Sequence, residues 1–164
     1  MLVDSMIVVA LITMYLACAH FASYQLGKKR ILNQQKWGLN ICCGKTDGGG
    51  VNADIVQHQD LPRFTLISSI YNLPFKTGEF DSVLCSHTIE HVDDPDAFYA
   101  ELQRVGKQVT VVVPPLYDVA AVLNIWEHKW IFVTLRKQHH TLPRFVKLPF
   151  ADFVQNRFGQ RNHA

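Results

Sequence analysis

Three groups of residues in this 164-residue chain have types and spacings suited to chemistry. The first is His87-Thr88-Ile89-Glu90-His91. It fits an H-x-x-E-H pattern, in which two histidines one helical turn apart bind zinc and the glutamate activates water. Such a site needs a long helix around it and a further ligand downstream. Here a strand-like run precedes the motif and Asp93-Asp94-Pro95 opens a new element just after it. The expectation is that no metal is held, that Ile89 and Val92 are core residues, and that Glu90 and His91 make local hydrogen bonds at a cleft edge. The second group is a glycine-rich stretch that opens at Cys43 and Gly44, runs to Gly50, and is followed by Asp54. After the first strand of a parallel sheet, such a loop lets backbone amides approach a ligand, and an acid closing the second strand can accept from both hydroxyls of a ribose. A plain flexible turn is the competing reading. The third group is Cys18, Cys42, Cys43 and Cys85, whose spacings match no zinc pattern and suggest no disulfide framework. Reduced thiols in a cytosolic compartment are expected.

The elements that must position these residues can be read from apolar runs and turn signals. Strands are predicted at residues 37–43, 51–55, 64–68, 82–85 and 109–113, the last β-branched throughout. A helix is predicted from Pro95, with Asp94 as its cap, Asp96 complementing its dipole, Ala97, Phe98, Leu102 and Val105 on one stripe, and Gly106 at its end. Strands buried on both faces and alternating with helices imply an α/β fold, a doubly wound and mostly parallel sheet. After Pro114-Pro115 the pattern weakens to a helix at 119–126 and strands at 130–135 and 145–148. The tetrapeptide LPRF occurs twice, at 61–64 and 142–145, which is too little for a repeat architecture.

Ahead of this domain, residues 6–24 are free of Asp, Glu, Lys and Arg. As a helix they would reach about 28 Å, close to the hydrocarbon thickness of a bilayer. A cleaved signal peptide competes, since Ala17-Cys18-Ala19 resembles a cleavage site, but the preceding residues carry Asp4 and no cation. A buried core helix is disfavoured because no polar face recurs at helical spacing. The flanking Lys28, Lys29 and Arg30 would stay on the cytoplasmic side. A transmembrane anchor over residues 1–30 is therefore expected, N-terminus out, followed by a cytoplasmic α/β domain over 31–164.

The net charge of +2 gives no reason to expect a nucleic-acid partner. Charge is concentrated, however, because residues 127–164 hold seven of the basic residues and two of the acidic ones. The cations Lys129, Arg136, Lys137, Arg144, Lys147, Arg157 and Arg161 are mixed there with Trp126, Trp130, Phe132, Phe145, Phe150, Phe153 and Phe158. Such a mixture suits a surface resting on membrane lipid or on an integral membrane protein complex, or else aromatics completing the core.

Several phrases together resemble a class I S-adenosylmethionine-dependent methyltransferase of the type 11 group: LNICCG at 39–44, NLPF at 72–75, FDSVLCSHTIEHVDDPDAFYAELQRV at 80–105, and the following strand VTVVVP. The resemblance implies a Rossmann-like fold with S-adenosylmethionine lying across the carboxyl ends of strands one, two and four. It places Gly44 beside the methionine moiety, Asp54 at the ribose, and Cys85, Ser86 and His87 on the floor near the methyl group. Ser69 falls where the family has the acid that holds the adenine. Methyl transfer is an in-line displacement needing position more than a nucleophile. If the acceptor must lose a proton, His87 and His128 are the candidate bases. The sequence departs from the family at Asn40, where an acid is usual, at Cys42, where a glycine is usual, and at Ser69. The ten residues from Gly44 to Asp54 are also too few for a strand-helix-strand crossover, so the first helix should be absent or reduced to a loop. Two functions follow as expectations: a membrane-anchored methyltransferase, or a non-catalytic methyltransferase-fold subunit of a membrane complex.

Overall fold

The computed structural model describes residues 2–158; Arg161 of the basic tail lies outside the described residues. A long helix comes first, with α1 (Leu2–Phe21) running through a π-helical stretch (Ala22–Gly27) into α2 (Lys28–Leu32). The strands are β1 (Leu39–Ile41), β2 (Val51–Asp54), β3 (Phe64–Leu66), β4 (Phe80–Ser86) and β5 (Gly106–Val112), with α3 (Pro95–Val105) between the last two. There follow α4 (Val119–Val122), β6 (Trp130–Phe132), β7 (Gln138–His139), β8 (Phe145–Lys147) and α5 (Ala151–Phe158). One six-stranded sheet has the order β3-β2-β1-β4-β5-β7 and is parallel except for β7; β6 and β8 pair separately and antiparallel. The expected α/β, mostly parallel, Rossmann-like architecture is present. Between β1 and β4 the chain order reverses, which opens a crevice at their carboxyl ends.

Side-chain alternation explains the layers. Val83, Cys85, Val109 and Val111 share a core with Phe98, Leu102 and Val105 of α3. Leu84 and Val112 instead meet Ile31 and Trp37, where the foot of the N-terminal helix covers the opposite face. Each fully buried Leu, Val or Phe contributes about 1.5–3 kcal/mol. Helix α3 starts as its sequence dictates: the Asp94 side chain accepts from the Ala97 amide (3.0 Å) and Pro95 occupies the first position, where no amide donor is required. Gly106 closes it in extended conformation and begins β5 at once. A Cβ at Gly106 would sit 2.3 Å from Val83 Cγ2, so close packing against β4 excludes a side chain there.

The predicted strand at 37–43 shortens to Leu39–Ile41 because Cys42 takes φ +50 and turns the chain away. The predicted helix at 119–126 is confined to Val119–Val122, and the strand at 130–135 to Trp130–Phe132. The first crossover helix is absent, as expected: residues 42–50 form a loop that runs back along β1, bringing the Gly48 carbonyl to the Trp37 amide (2.9 Å). The tail aromatics divide between the two readings. Phe132 is buried and Trp130 and Phe145 pack beside it, whereas Trp126, Phe150, Phe153 and Phe158 point outward.

Candidate functional site

Two asparagines hold the loop at the β1–β2 end. Asn52, fully buried in β2, accepts at Oδ1 from the Gly48 amide (2.9 Å) and from Asn40 Nδ2 (3.2 Å). Its own Nδ2 donates to Asp47 Oδ1 (2.8 Å) and the Pro62 carbonyl (2.9 Å). All four hydrogen-bonding positions of that amide are used. Asn40 also donates to the Thr46 carbonyl (2.7 Å). An amide suits this position where the resemblance led to an acid being expected: the amide can donate to a loop carbonyl and a carboxylate cannot. At the end of β2, Asp54 accepts from the Gly44 amide through Oδ2 (2.8 Å) and from the Ile55 amide through Oδ1 (2.8 Å). Gly44 itself has φ +56, a conformation that favours glycine.

At the end of β4 the backbone turns through His87, at φ +55. Its ring belongs to a chain of polar groups. Lys137 Nζ lies 2.8 Å from His87 Nε2, and His87 Nδ1 lies 3.2 Å from Glu90 Oε1. An ammonium only donates, so Nε2 accepts and Nδ1 carries the hydrogen that goes to Glu90. Lys137 Nζ also meets Ser23 Oγ (3.1 Å), and the Tyr24 ring packs on His87 with centroids 5.1 Å apart. The foot of the N-terminal helix therefore touches the tip of β4.

Burial lowers the His87 pKa against the opposing pull of Glu90, and burial holds Lys137 down to about 8. For Glu90, burial opposes the charge, but the hydrogen bond from His87 and the electrostatic influence of the neighbouring His87, His91 and His128 imidazoles outweigh it and keep the carboxyl below its ordinary range. Burial also takes His128 down to about 4 and pushes the Cys43 thiol up to about 11; Cys42 and Cys85 are raised by burial as well. None of these three thiols is a nucleophile at neutral pH.

A cavity of about 860 Å³ opens at this end of the sheet, within the range of small-molecule sites. Cys42, Asp54, His87, Thr88 and His91 line one part, while Trp126, Lys129, Lys147 and Gln155 line another. Of the residues singled out from sequence, Asp54 and His87 are thus brought together on the wall. Cys43 and Gly44 follow Cys42 in the adjoining loop, Cys85 is buried, and the Ser86 hydroxyl is buried without a partner. His128 is buried against the His91 ring, with centroids 4.7 Å apart. Ser69 stands apart: its hydroxyl accepts from the Tyr71 amide (3.1 Å) on the β3–β4 connection, and it is not on the cavity wall. Sequence reasoning missed Lys137 and Tyr24, which reach His87 from distant positions, and the lining residues from α5, whose strongest local signal is the Asp152 carboxylate in its first turn.

Residues 50–113, from the end of the loop through β2, β4, α3 and β5, match the family profile of the type 11 methyltransferase domain. Solved structures similar to the chain include a complex between the Haloferax volcanii Trm112 methyltransferase activator and a methyltransferase, with 18% identity, 57% of this chain and 52% of that chain covered, and a TM-score of 0.43. Another is a SAM-dependent methyltransferase from Thermotoga maritima, with 20% identity, 65% and 58% covered, and a TM-score of 0.42. A third is a SAM-dependent methyltransferase from Aquifex aeolicus, with 16% identity, 59% and 68% covered, and a TM-score of 0.41. The chain spans just over half the length of the first two. No curated protein matches the sequence. The cavity lies at the carboxyl ends of the parallel strands, beside a loop pinned by Asn40 and Asn52 that stands in place of a first crossover helix.

Proposed function

We propose that this chain is a membrane-anchored methyltransferase that works on a membrane-associated acceptor at the cytoplasmic face. The observation that carries this reading is the contact of Tyr24 and Ser23, at the foot of the apolar helix, with His87 and Lys137, since His87 also lines the cavity. Ser5–Leu32 is long and apolar enough to cross a membrane, and Met6, Val9 and Tyr15 are exposed. With that helix in a bilayer, the cleft wall stands within a turn or two of the lipid boundary, where an acceptor held in the membrane can reach it. The outward Trp126, Phe150, Phe153 and Phe158 supply further apolar surface for contact with membrane lipid. Lys28, Lys29 and Arg30 favour the cytoplasmic orientation.

The cavity fits S-adenosylmethionine in volume, and Asp54 offers a carboxylate on its wall for ribose hydroxyls. The open side of Gly44, with no atom within 4 Å of where its Cβ would stand, leaves room for the methionine part. When bound, the cofactor supplies an electrophilic methyl group on a sulfonium. The protein's part is to position the acceptor and exclude water. His87 is a poor base for the acceptor, since its Nε2 lone pair is taken by Lys137, and it serves instead to fix the geometry of the cleft wall. Calorimetric titration of the full chain in mild detergent with S-adenosylmethionine tests the reading. Saturable heat that Asp54→Ala abolishes supports it, and no heat at millimolar ligand refutes it.

A second reading, a non-catalytic subunit of an integral membrane protein complex, is favoured by one specific observation: both Asp54 oxygens already hold backbone amides. Co-purification in mild detergent separates the two, because a stoichiometric partner with no bound cofactor supports the subunit reading.

A further inference from the structure

Beside the cleft, Glu90, His91 and His128 each offer a ligand atom, and those atoms lie within 4.8 Å of one another. We propose that these three residues bind a divalent first-row transition-metal ion. The strongest indication is what the cluster lacks. Glu90 is fully buried with Oε2 unpartnered, and His128 is 6% exposed with Nδ1 unpartnered. Leaving a buried polar atom without a hydrogen bond costs about 1–3 kcal/mol, and one cation placed between the two side chains satisfies both.

The supporting bonds are those of a ligand set held in place. His91 Nδ1 lies 2.9 Å from the Glu127 carbonyl, so it carries the hydrogen and leaves Nε2 free to ligate. Glu90 Oε1 is occupied by His87, which orients the carboxylate and leaves Oε2 toward the cluster. The Glu90 carbonyl accepts from the Lys129 and Trp130 amides (2.8 and 3.2 Å), fixing His128 beside Glu90 across 38 residues of chain. The His128 carbonyl in turn accepts from Gln155 Nε2 (2.9 Å). This is not the ligand set of an H-x-x-E-H zinc site, because His87 faces Lys137 and the glutamate is itself a ligand.

Two imidazoles and one carboxylate suit zinc, manganese, iron(II) or cobalt(II) better than magnesium or calcium, which prefer oxygen. At about 2.1 Å from each donor, such an ion would draw them to roughly 3.4 Å apart. His91 also lines the cavity, so an ion held here would lie next to the cleft and could polarise an oxygen that enters it.

The test uses the full chain without a histidine tag, purified in detergent, stripped with EDTA and titrated with cobalt(II). The expected result is visible absorption bands that saturate at one equivalent and are displaced by zinc. His91→Ala and His128→Ala should abolish saturable binding, and His87→Ala should weaken it about 10- to 100-fold by releasing Glu90. Circular dichroism checks the fold of each variant; since His128 is buried, His91→Gln at the half-exposed position carries the test if His128→Ala does not fold. Absence of binding to the folded wild-type chain at millimolar cobalt, or binding unchanged in the folded His91 variants, overturns the proposal.

Discussion

The two crossovers of the parallel sheet, β1 to β2 and β4 to β5, are built by opposite means. On the β4 side the chain returns to the sheet through a regular helix, α3, whose Phe98, Leu102 and Val105 are buried against β4 and β5. On the β1–β2 side there is no helix, and a nine-residue loop, 42–50, is tied down by Asn40, Asn52 and Asp54 through hydrogen bonds to its backbone. The difference shows that a parallel crossover can be stripped of its helix if buried amides take over the pairing of the loop's polar groups. It also separates the duties of the two crossovers: apolar packing holds the fold, and the polar loop borders the cleft.

The sharpest way to break this comparison is to damage the packed crossover first. Phe98→Ala should cost about 3–5 kcal/mol in denaturant unfolding of the detergent-solubilised chain. Asn52→Ala strands the Gly48 amide and the Pro62 carbonyl and should cost about 1–3 kcal/mol. It should also lower ligand affinity by reshaping the loop. Equal losses of affinity in the two variants, once each is folded, would show that the two crossovers do not have distinct duties. Asp94→Ala removes the cap of α3 and should cost about 1 kcal/mol by the same assay. Finally, Lys107→Ala breaks an exposed ion pair with Asp81 and should leave the midpoint unchanged within error.

What could be read in the sequence follows the same division. Helix α3 and strand β5 were legible because their signals are local: a capping Asp, a Pro at the first turn, one apolar stripe and a β-branched run. The absence of the first helix was legible from chain length alone. Asp54 reads as a ribose ligand by position, yet its amide partners are set by the loop's fold, which spacing does not specify. His87 was legible as a residue at the end of β4. Its partners were not, because Lys137 and Ser23 approach from 50 residues downstream and 64 upstream. Neither β7, two residues long, nor α5 carries enough local pattern to stand out.

The claim on which this account rests is that the cleft beside the pinned loop is the ligand site of a methyltransferase. Hydrogen exchange of the full chain in detergent, with and without saturating S-adenosylmethionine, measures it most directly. The account predicts slowed exchange at the amides of residues 42–55 and 86–91, with β3 and the exposed turns of α1 unchanged. Unaltered exchange in the loop, or protection confined to other elements, would contradict it.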